Sequence, residues 1–134
     1  MGLLSGRRPA SLGLQDGALK PCSWKPNCVN STAGADNAGH HIAPLAIKGA
    51  AAAAWQRLCA AVKNRPRVTI VTEEPTYLYA EFKSSAMGYV DDVEFALDAR
   101  AGVIHVRSAS RLGVRDFGVN RARVESIRAA FAQG

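Results

Sequence analysis

The sequence predicts an α+β domain in which a roughly four-stranded antiparallel sheet packs against two helices, preceded by a long irregular N-terminal segment. Three observations support this prediction. Apolar residues recur at helical spacing in residues 48–64 and again in residues 120–132. Between them, in residues 68–110, apolar and polar residues alternate with the period of a β-strand. A sheet with helices on one face would bury all of these apolar stripes together.

The N-terminal segment, residues 1–46, contains Gly, Pro, Ser and Asn at short intervals and shows no sustained period. We expect residues 1–21 to form a flexible lead-in and residues 22–134 to form a single domain, since soluble domains commonly have about 100–150 residues. The opening residues lack the apolar stretch of a targeting signal, so the sequence alone favours a cytoplasmic protein. No apolar run is long enough to span a bilayer.

The first helix is predicted over residues 48–64 and ends before Pro66, which cannot continue a helix. Its buried face consists of residues spaced i, i+3, i+4 and i+7, namely Trp55, Leu58, Cys59 and Val62. The last helix is predicted over residues 120–132, with Asn120 as its N-cap. Its buried stripe consists of Val124, Ile127 and Phe131.

Four strands are predicted between the helices, in the segments RVTIVTE, TYLYAEFKS, YVDDVEFALD and GVIHVRSAS. The short link ARAG between the last two predicts a hairpin in which Phe95 lies opposite Val106. In the same register Glu94 lies opposite Arg107. A slip of one residue would mix apolar and polar side chains on each face, so the pattern favours this pairing.

The charge balance favours acidic partners. The chain has 17 Lys and Arg against 11 Asp and Glu, which gives a formal net charge of +6. The basic residues are scattered and never form a run, so binding to nucleic acid is not expected. A protein or an anionic small molecule is the expected partner.

The three cysteines allow several interpretations. Cys59 lies on the buried stripe of the first helix and is expected to be a small core residue. Cys22 and Cys28 share a loop and could form a disulfide, remain two free structural thiols, or take part in metal or redox chemistry. A metal site would need His40 and His41 as further ligands, and the spacing of the cysteines is poor for zinc. We therefore expect no metal and no cofactor.

The segment HVRSASRLGVRDFGVNR is the candidate binding site, because arginines and backbone N–H groups at a helix start can hold an anion. Its candidate ligand-binding residues are Arg107, Ser108, Ser110, Arg111, Arg115, Asn120 and Arg121. Tyr77 and Tyr79 project from the sheet face away from the helices, which we expect to be open to a partner. The leading hypothesis is a non-catalytic binding or accessory protein that uses the arginine-rich loop and this face.

A small hydrolase-like enzyme is the alternative. Its acid and base groups would come from Asp91, Asp92 and Glu94 together with His105. The same acids are equally consistent with a polar strand face that pairs with Arg107. An enzyme needs a concave pocket that collects these groups, whereas a binding module needs only an exposed patch.

Four stretches together resemble a known family: KPNCVNS, HIAPL, YLYAEFKSSAMGYVDDVEF and VIHVRSASRLGVRDFGVNRARVESIR. Their order and spacing are similar to the bacterial and plastid family known as domain of unknown function 1499, over residues 22–131. The resemblance implies no established reaction, cofactor or catalytic residue. Members of that family often resemble exported or lipid-anchored proteins, so the resemblance implies a periplasmic location as the alternative to the cytoplasm.

Overall fold

The computed structural model describes residues 6–84, 88–113 and 116–133. Within these residues the chain forms two helices and six strands, and the α+β prediction is confirmed. In chain order the elements are β1 (Cys28–Asn30), β2 (Leu45–Ala46), α1 (Ala51–Lys63), β3 (Val68–Glu73), β4 (Tyr77–Lys83), β5 (Val90–Asp98), β6 (Val103–Ser110) and α2 (Val119–Gln133).

The strands form one antiparallel sheet in the order β1-β6-β5-β4-β3, and β2 also pairs with β6. The described sheet has six strands where roughly four were predicted, because β1 and β2 add two more. Both come from the segment that the sequence analysis treats as irregular. They have three and two residues, too few to show an alternating pattern.

The predicted register of the β5–β6 hairpin is confirmed. Phe95 pairs with Val106, and Glu94 pairs with Arg107. Phe95 and Val106 are both fully buried against the helices, as the pattern of apolar residues requires. The hairpin therefore fixes which residues of the two central strands point towards the helices and which point away.

Both helices pack on the same face of the sheet. The predicted stripes of α1 and α2 lie in one core cluster with Leu78, Val93 and Phe95. Cys59 belongs to this cluster and is a free, buried thiol, as predicted. We call this the helix face.

The start of α2 differs from the prediction. Asn120 lies within the helix, and Asp116 is the residue that caps it. The Asp116 carboxylate accepts hydrogen bonds from the backbone N–H groups of Gly118 and Asn120, each at 3.0 Å. The Asn120 N–H belongs to the first turn and would otherwise lack a partner, and the Gly118 N–H lies just before it, so Asp116 performs the role predicted for Asn120.

The opposite face of the sheet is covered by the lead-in, and the prediction of an open face is wrong. Tyr77 and Tyr79 are only 6% and 4% exposed. Leu19 of the lead-in is buried against them, and Leu12 packs on the same cluster. We call this the lead-in face. The flexibility expected for residues 1–21 stays a prediction.

The Cys22–Cys28 disulfide is present, with the two sulfur atoms 2.09 Å apart. It closes the ring of residues 22–28 directly before β1, which joins the edge of the sheet beside β6. Its formation selects one of the three interpretations of these cysteines and leaves neither sulfur as a thiolate for a metal. None of the helices in the described part of the chain combines the length and apolar composition needed to cross a membrane.

Substitution of Leu19 tests how firmly the lead-in is packed. Leu19→Ala should lower the free energy of unfolding by about 2–3 kcal/mol, because it removes buried methyl groups and leaves a cavity. Leu14→Ala is the matched control in the same segment, since Leu14 is 39% exposed, and it should change stability by less than about 0.5 kcal/mol. Urea denaturation followed by circular dichroism measures both. A loss of stability in Leu19→Ala as small as that in Leu14→Ala would contradict the packing of the lead-in against the sheet.

Candidate functional site

The residues predicted to bind an anion lie between β6 and the first turn of α2, and several of their polar atoms bind one another. Ser108 Oγ donates to Asn120 Oδ1 at 2.6 Å, and both residues are fully buried. The Asn120 amide donates to Ser110 Oγ at 3.0 Å and to the Asp116 carboxylate at 2.7 Å. This network fixes the start of α2, and it leaves Ser108 and Asn120 without exposed surface for a ligand.

Arg111 is held on the lead-in face by two carboxylates. Its guanidinium donates to Asp92 at 2.8 and 2.9 Å and to Glu81 at 2.5 Å, and its side chain is 3% exposed. It also donates to the hydroxyl of Tyr79 at 3.2 Å. The hydrogen bond to Asp92 is the main reason that the pKa of Arg111 lies above its ordinary value, against the opposing effect of burial. Arg111 therefore neutralises the buried Asp92 and the half-buried Glu81 in the fold.

Arg107 lies on the same face and is 9% exposed. Its Nη1 is 3.8 Å from Glu94 Oε1, and burial lowers the pKa of Arg107 although the charge of Glu94 raises it. Glu94 Oε2 accepts hydrogen bonds from the Tyr77 hydroxyl at 2.5 Å and from the backbone N–H of Gly13 at 2.8 Å. Burial is the main reason that the pKa of Tyr77 lies well above its ordinary value, and the hydrogen bond from Tyr77 to Glu94 raises this pKa further. Glu94 and Arg107 thus pair as predicted, and both side chains are buried.

The remaining predicted arginines lie apart from this network. Arg121 is half-buried on α2, and its Nη2 donates to the Ala38 carbonyl at 3.4 Å. Arg115 lies outside the described residues. The structure therefore separates the predicted site into a buried network at the start of α2, two buried arginines on the lead-in face, and one peripheral arginine.

The residues of the enzyme alternative are divided between the two faces of the sheet. Asp91 points to the helix face and forms an ion pair with Arg123 of α2 at 2.8 Å. Asp92 and Glu94 belong to the network beneath the lead-in. His105 hydrogen-bonds Ser31 at 3.0 Å through Nδ1, and its Nε2 is 3.9 Å from Asp98. The four residues are therefore not gathered in one pocket.

A cleft of about 740 Å³ opens at the end of the sheet where β4, β5 and β6 meet the start of α2. Its walls come from four separate segments: the α1–β3 connection, the ends of β4 and β5, the β6–α2 loop, and the first turns of α2. The apolar lining residues are Pro66, Phe82, Tyr89, Val90, Leu112, Phe117, Val119 and Ala122. The loop predicted to bind a ligand thus forms one wall of a cavity.

The charged residues of the cleft leave an excess of positive charge. Asp91 is paired with Arg123, whose guanidinium also lies 5.0 Å from the centre of the Phe82 ring. Asp116 is engaged in capping α2. Three further basic residues line the cleft: Arg65, Arg67 and Lys83. Among the described residues no carboxylate forms an ion pair with any of these three, and the buried Nε of Arg65 has no hydrogen-bond partner there.

Sequence reasoning named Asp91, which lines the cleft, as a candidate of the enzyme alternative, but it missed the basic cleft residues outside the β6–α2 loop. Arg65 and Arg67 flank Pro66 in the turn after α1, and the run RPR is a visible but unspecific signal. Tyr89 is 42% exposed and comes from the approach to β5. Segments so distant in sequence come together only in the folded chain.

The sequence profile of the family described as "protein of unknown function (DUF1499)" matches residues 18–131. The chain belongs to this family. Among curated proteins and among solved structures, no significant match is found. The DUF1499 match spans β1 to α2 and so includes every described segment that lines the cleft.

The metal interpretation gains no further ligands from the structure. His40 donates to the Lys25 carbonyl at 2.9 Å, and His41 donates to the Ala33 carbonyl at 2.8 Å. Across residues 6–84, 88–113 and 116–133, no three His, Cys, Asp or Glu side chains converge in a way that could hold a metal ion.

The carboxylate network predicts how stability depends on pH. Burial raises the pKa of Glu81, but hydrogen bonds from Arg8 and Arg111 outweigh it, so the pKa lies below its ordinary value. A carboxylate with a lowered pKa stabilises the fold above its unfolded-state pKa, and this stabilisation is lost as the pH falls through the folded-state pKa. Glu81→Gln should therefore be less stable than the wild type at neutral pH, and the difference should shrink below about pH 4.5.

Urea midpoints measured between about pH 7 and pH 3 test this expectation. Glu125→Gln serves as the control, since the Glu125 side chain is 52% exposed and its pair with Arg128 on α2 should contribute little. A stability difference for Glu81→Gln that stays constant or grows on acidification would contradict the assigned role of Glu81.

Proposed function

We propose that the protein is a non-catalytic binding or accessory protein that holds an anionic, amphipathic small molecule in the cleft at the end of the sheet. The observation that supports this most directly is the combination of an apolar lining with three basic residues that pair with no carboxylate among the described residues. Ligand pockets of several hundred Å³ are typically apolar, with a few polar groups that orient the ligand. The proposal keeps the β6–α2 loop as part of the site.

The apolar part of the cleft favours a ligand with a hydrocarbon portion. Phe82 and Val90 form the buried base of the cavity, and Leu112, Phe117 and Val119 are exposed around it. Covering these exposed side chains with an apolar ligand would remove them from water, which is favourable by about 25 cal/mol per Å² of apolar surface.

The basic residues favour an acidic head group on the same ligand. Arg67 and Lys83 are exposed, and Arg65 is half-buried with an unpartnered Nε among the described atoms. A phosphate or carboxylate can accept hydrogen bonds from two arginines at once, and such charge-assisted bonds are stronger than neutral ones. The proposed ligand therefore carries its charge near the α1–β3 turn.

The disulfide supports an oxidising compartment for this function. A disulfide persists in the periplasm and outside the cell, whereas the cytosol keeps thiols reduced. The Cys22–Cys28 bond thus favours the periplasmic location implied by the family resemblance over the cytoplasmic one.

Isothermal titration calorimetry with decyl phosphate, kept below its micellar concentration, tests the proposal. We expect saturable binding to one site in the wild type. Arg67→Glu should weaken binding at least roughly fivefold, the equivalent of about 1 kcal/mol, because it replaces a donor near the head group with a repelling charge.

Arg100→Glu is the matched control because Arg100 is exposed in the turn between β5 and β6, away from the cleft residues. It makes the same change in net charge and should leave the affinity within twofold of the wild type. Absence of saturable binding, or an equal loss in both variants, would contradict a specific site in the cleft.

A further inference from the structure

Exposed apolar side chains are concentrated at one end of the molecule. Of the six large exposed ones among the described residues, four line the cleft: Tyr89, Leu112, Phe117 and Val119. A fifth, Trp24, is 75% exposed and belongs to the disulfide ring. Of these six described residues, Leu14 alone lies elsewhere, on the lead-in. Exposed apolar groups that cluster in this way are typical of an interaction surface.

The disulfide ring is attached to the cleft wall by hydrogen bonds. The Asn27 side chain donates to the Gly113 carbonyl at 2.7 Å, and the Asn27 carbonyl accepts from the Ser110 N–H at 3.0 Å. Pro26 and Phe117 line the same small surface depression of about 170 Å³. The ring that carries Trp24 therefore lies beside the loop that carries Phe117.

The backbone around Phe117 holds its side chain outwards. Phe117 has a φ of 53° and is 94% exposed. A positive φ is uncommon for a bulky residue and persists only where neighbouring contacts enforce it. Here Asp116 accepts hydrogen bonds from the N–H groups of Gly118 and Asn120, which fixes the turn.

Positive charge lines the cleft to which Phe117 belongs. Arg65, Arg67 and Lys83 line the cleft, while the carboxylates of Asp91 and Asp116 are engaged in an ion pair and a helix cap. Tryptophan and phenylalanine at the edge of a basic surface are the combination that favours the interface of an anionic bilayer, where aromatic rings lie at the head-group level and basic residues attract the lipid charge.

We propose that this end of the protein docks on an anionic phospholipid surface, with Trp24 and Phe117 inserted among the head groups and the basic residues of the cleft facing the lipid phosphates. The inference goes beyond the proposed function, because docking requires no ligand in the cleft. If both hold, the cleft opens towards the membrane, from which an amphipathic ligand can enter it.

Sedimentation with sucrose-loaded vesicles tests the docking. The wild type should bind vesicles of phosphatidylcholine containing about one third phosphatidylglycerol. It should bind pure phosphatidylcholine at least tenfold more weakly, and added salt should reduce the binding. Joint substitution of Trp24→Ser and Phe117→Ser should lower the partition coefficient at least tenfold.

Leu14→Ser is the matched control, since it removes an exposed apolar side chain from the lead-in and should leave binding within twofold. Both variants alter exposed residues, and thermal unfolding checks that their folds are intact.

Quenching by brominated lipids gives a second measurement that needs no variant. Trp24 is exposed, whereas Trp55 is 6% exposed on α1 and its Nε1 donates to the Glu74 carbonyl. Bromine atoms near the head groups should quench the fluorescence emission of Trp24 and should leave the emission of Trp55 unchanged. Absence of quenching with anionic vesicles would overturn the proposal.

Two other outcomes would also overturn the proposed docking. One is equal binding to neutral and anionic vesicles. The other is a loss of vesicle binding in Leu14→Ser as large as in the Trp24→Ser and Phe117→Ser double variant. A dimer in solution that Phe117→Ser abolishes would assign the surface to a second copy of the chain instead. Decyl phosphate binding is measured without vesicles and is therefore independent of membrane docking. Vesicle binding without decyl phosphate binding would refute only the proposed function. Decyl phosphate binding without vesicle binding would refute only the docking.

Discussion

The carboxyl group of Glu94 lies at the centre of the lead-in face with no exposed surface, and the arrangement of the rest of the chain depends on how this group is accommodated. A buried carboxyl group is costly unless hydrogen bonds and opposite charge replace its water. Tyr77 and Gly13 donate to one of its oxygens, and Arg107 is the basic residue next to it. Because Gly13 belongs to the lead-in, its hydrogen bond to Glu94 Oε2 forms only when the N-terminal segment lies across the sheet.

This constraint determines which surfaces of the sheet remain accessible. With helices on one face and the lead-in on the other, both faces of the central strands are occupied internally. Arg111 and Asp92 extend the buried network, so Arg111, one of the candidate ligand-binding residues, serves the fold. What remains accessible is the end of the sheet, where β4, β5 and β6 meet the start of α2.

Local patterns predicted the helices and the central hairpin well, because their apolar spacing is regular over many residues. The register of Phe95 against Val106 followed from alternation and the length of the turn. The β1 and β2 strands were missed because they are very short, and the covered face was missed because Leu12 and Leu19 lie in a stretch without periodicity. The cleft could not be predicted, since its walls meet only through tertiary packing.

We propose that a ligand binds at the end of the sheet and not on its lead-in face. A ¹H–¹⁵N correlation spectrum titrated with decyl phosphate tests it most directly. We expect chemical-shift changes at Gly113, Phe117 and Val119, which lie around the cleft. Changes centred instead on the amides of Gly13 and Glu94, with those around the cleft unmoved, would show that the lead-in is displaced by the ligand and would contradict the account.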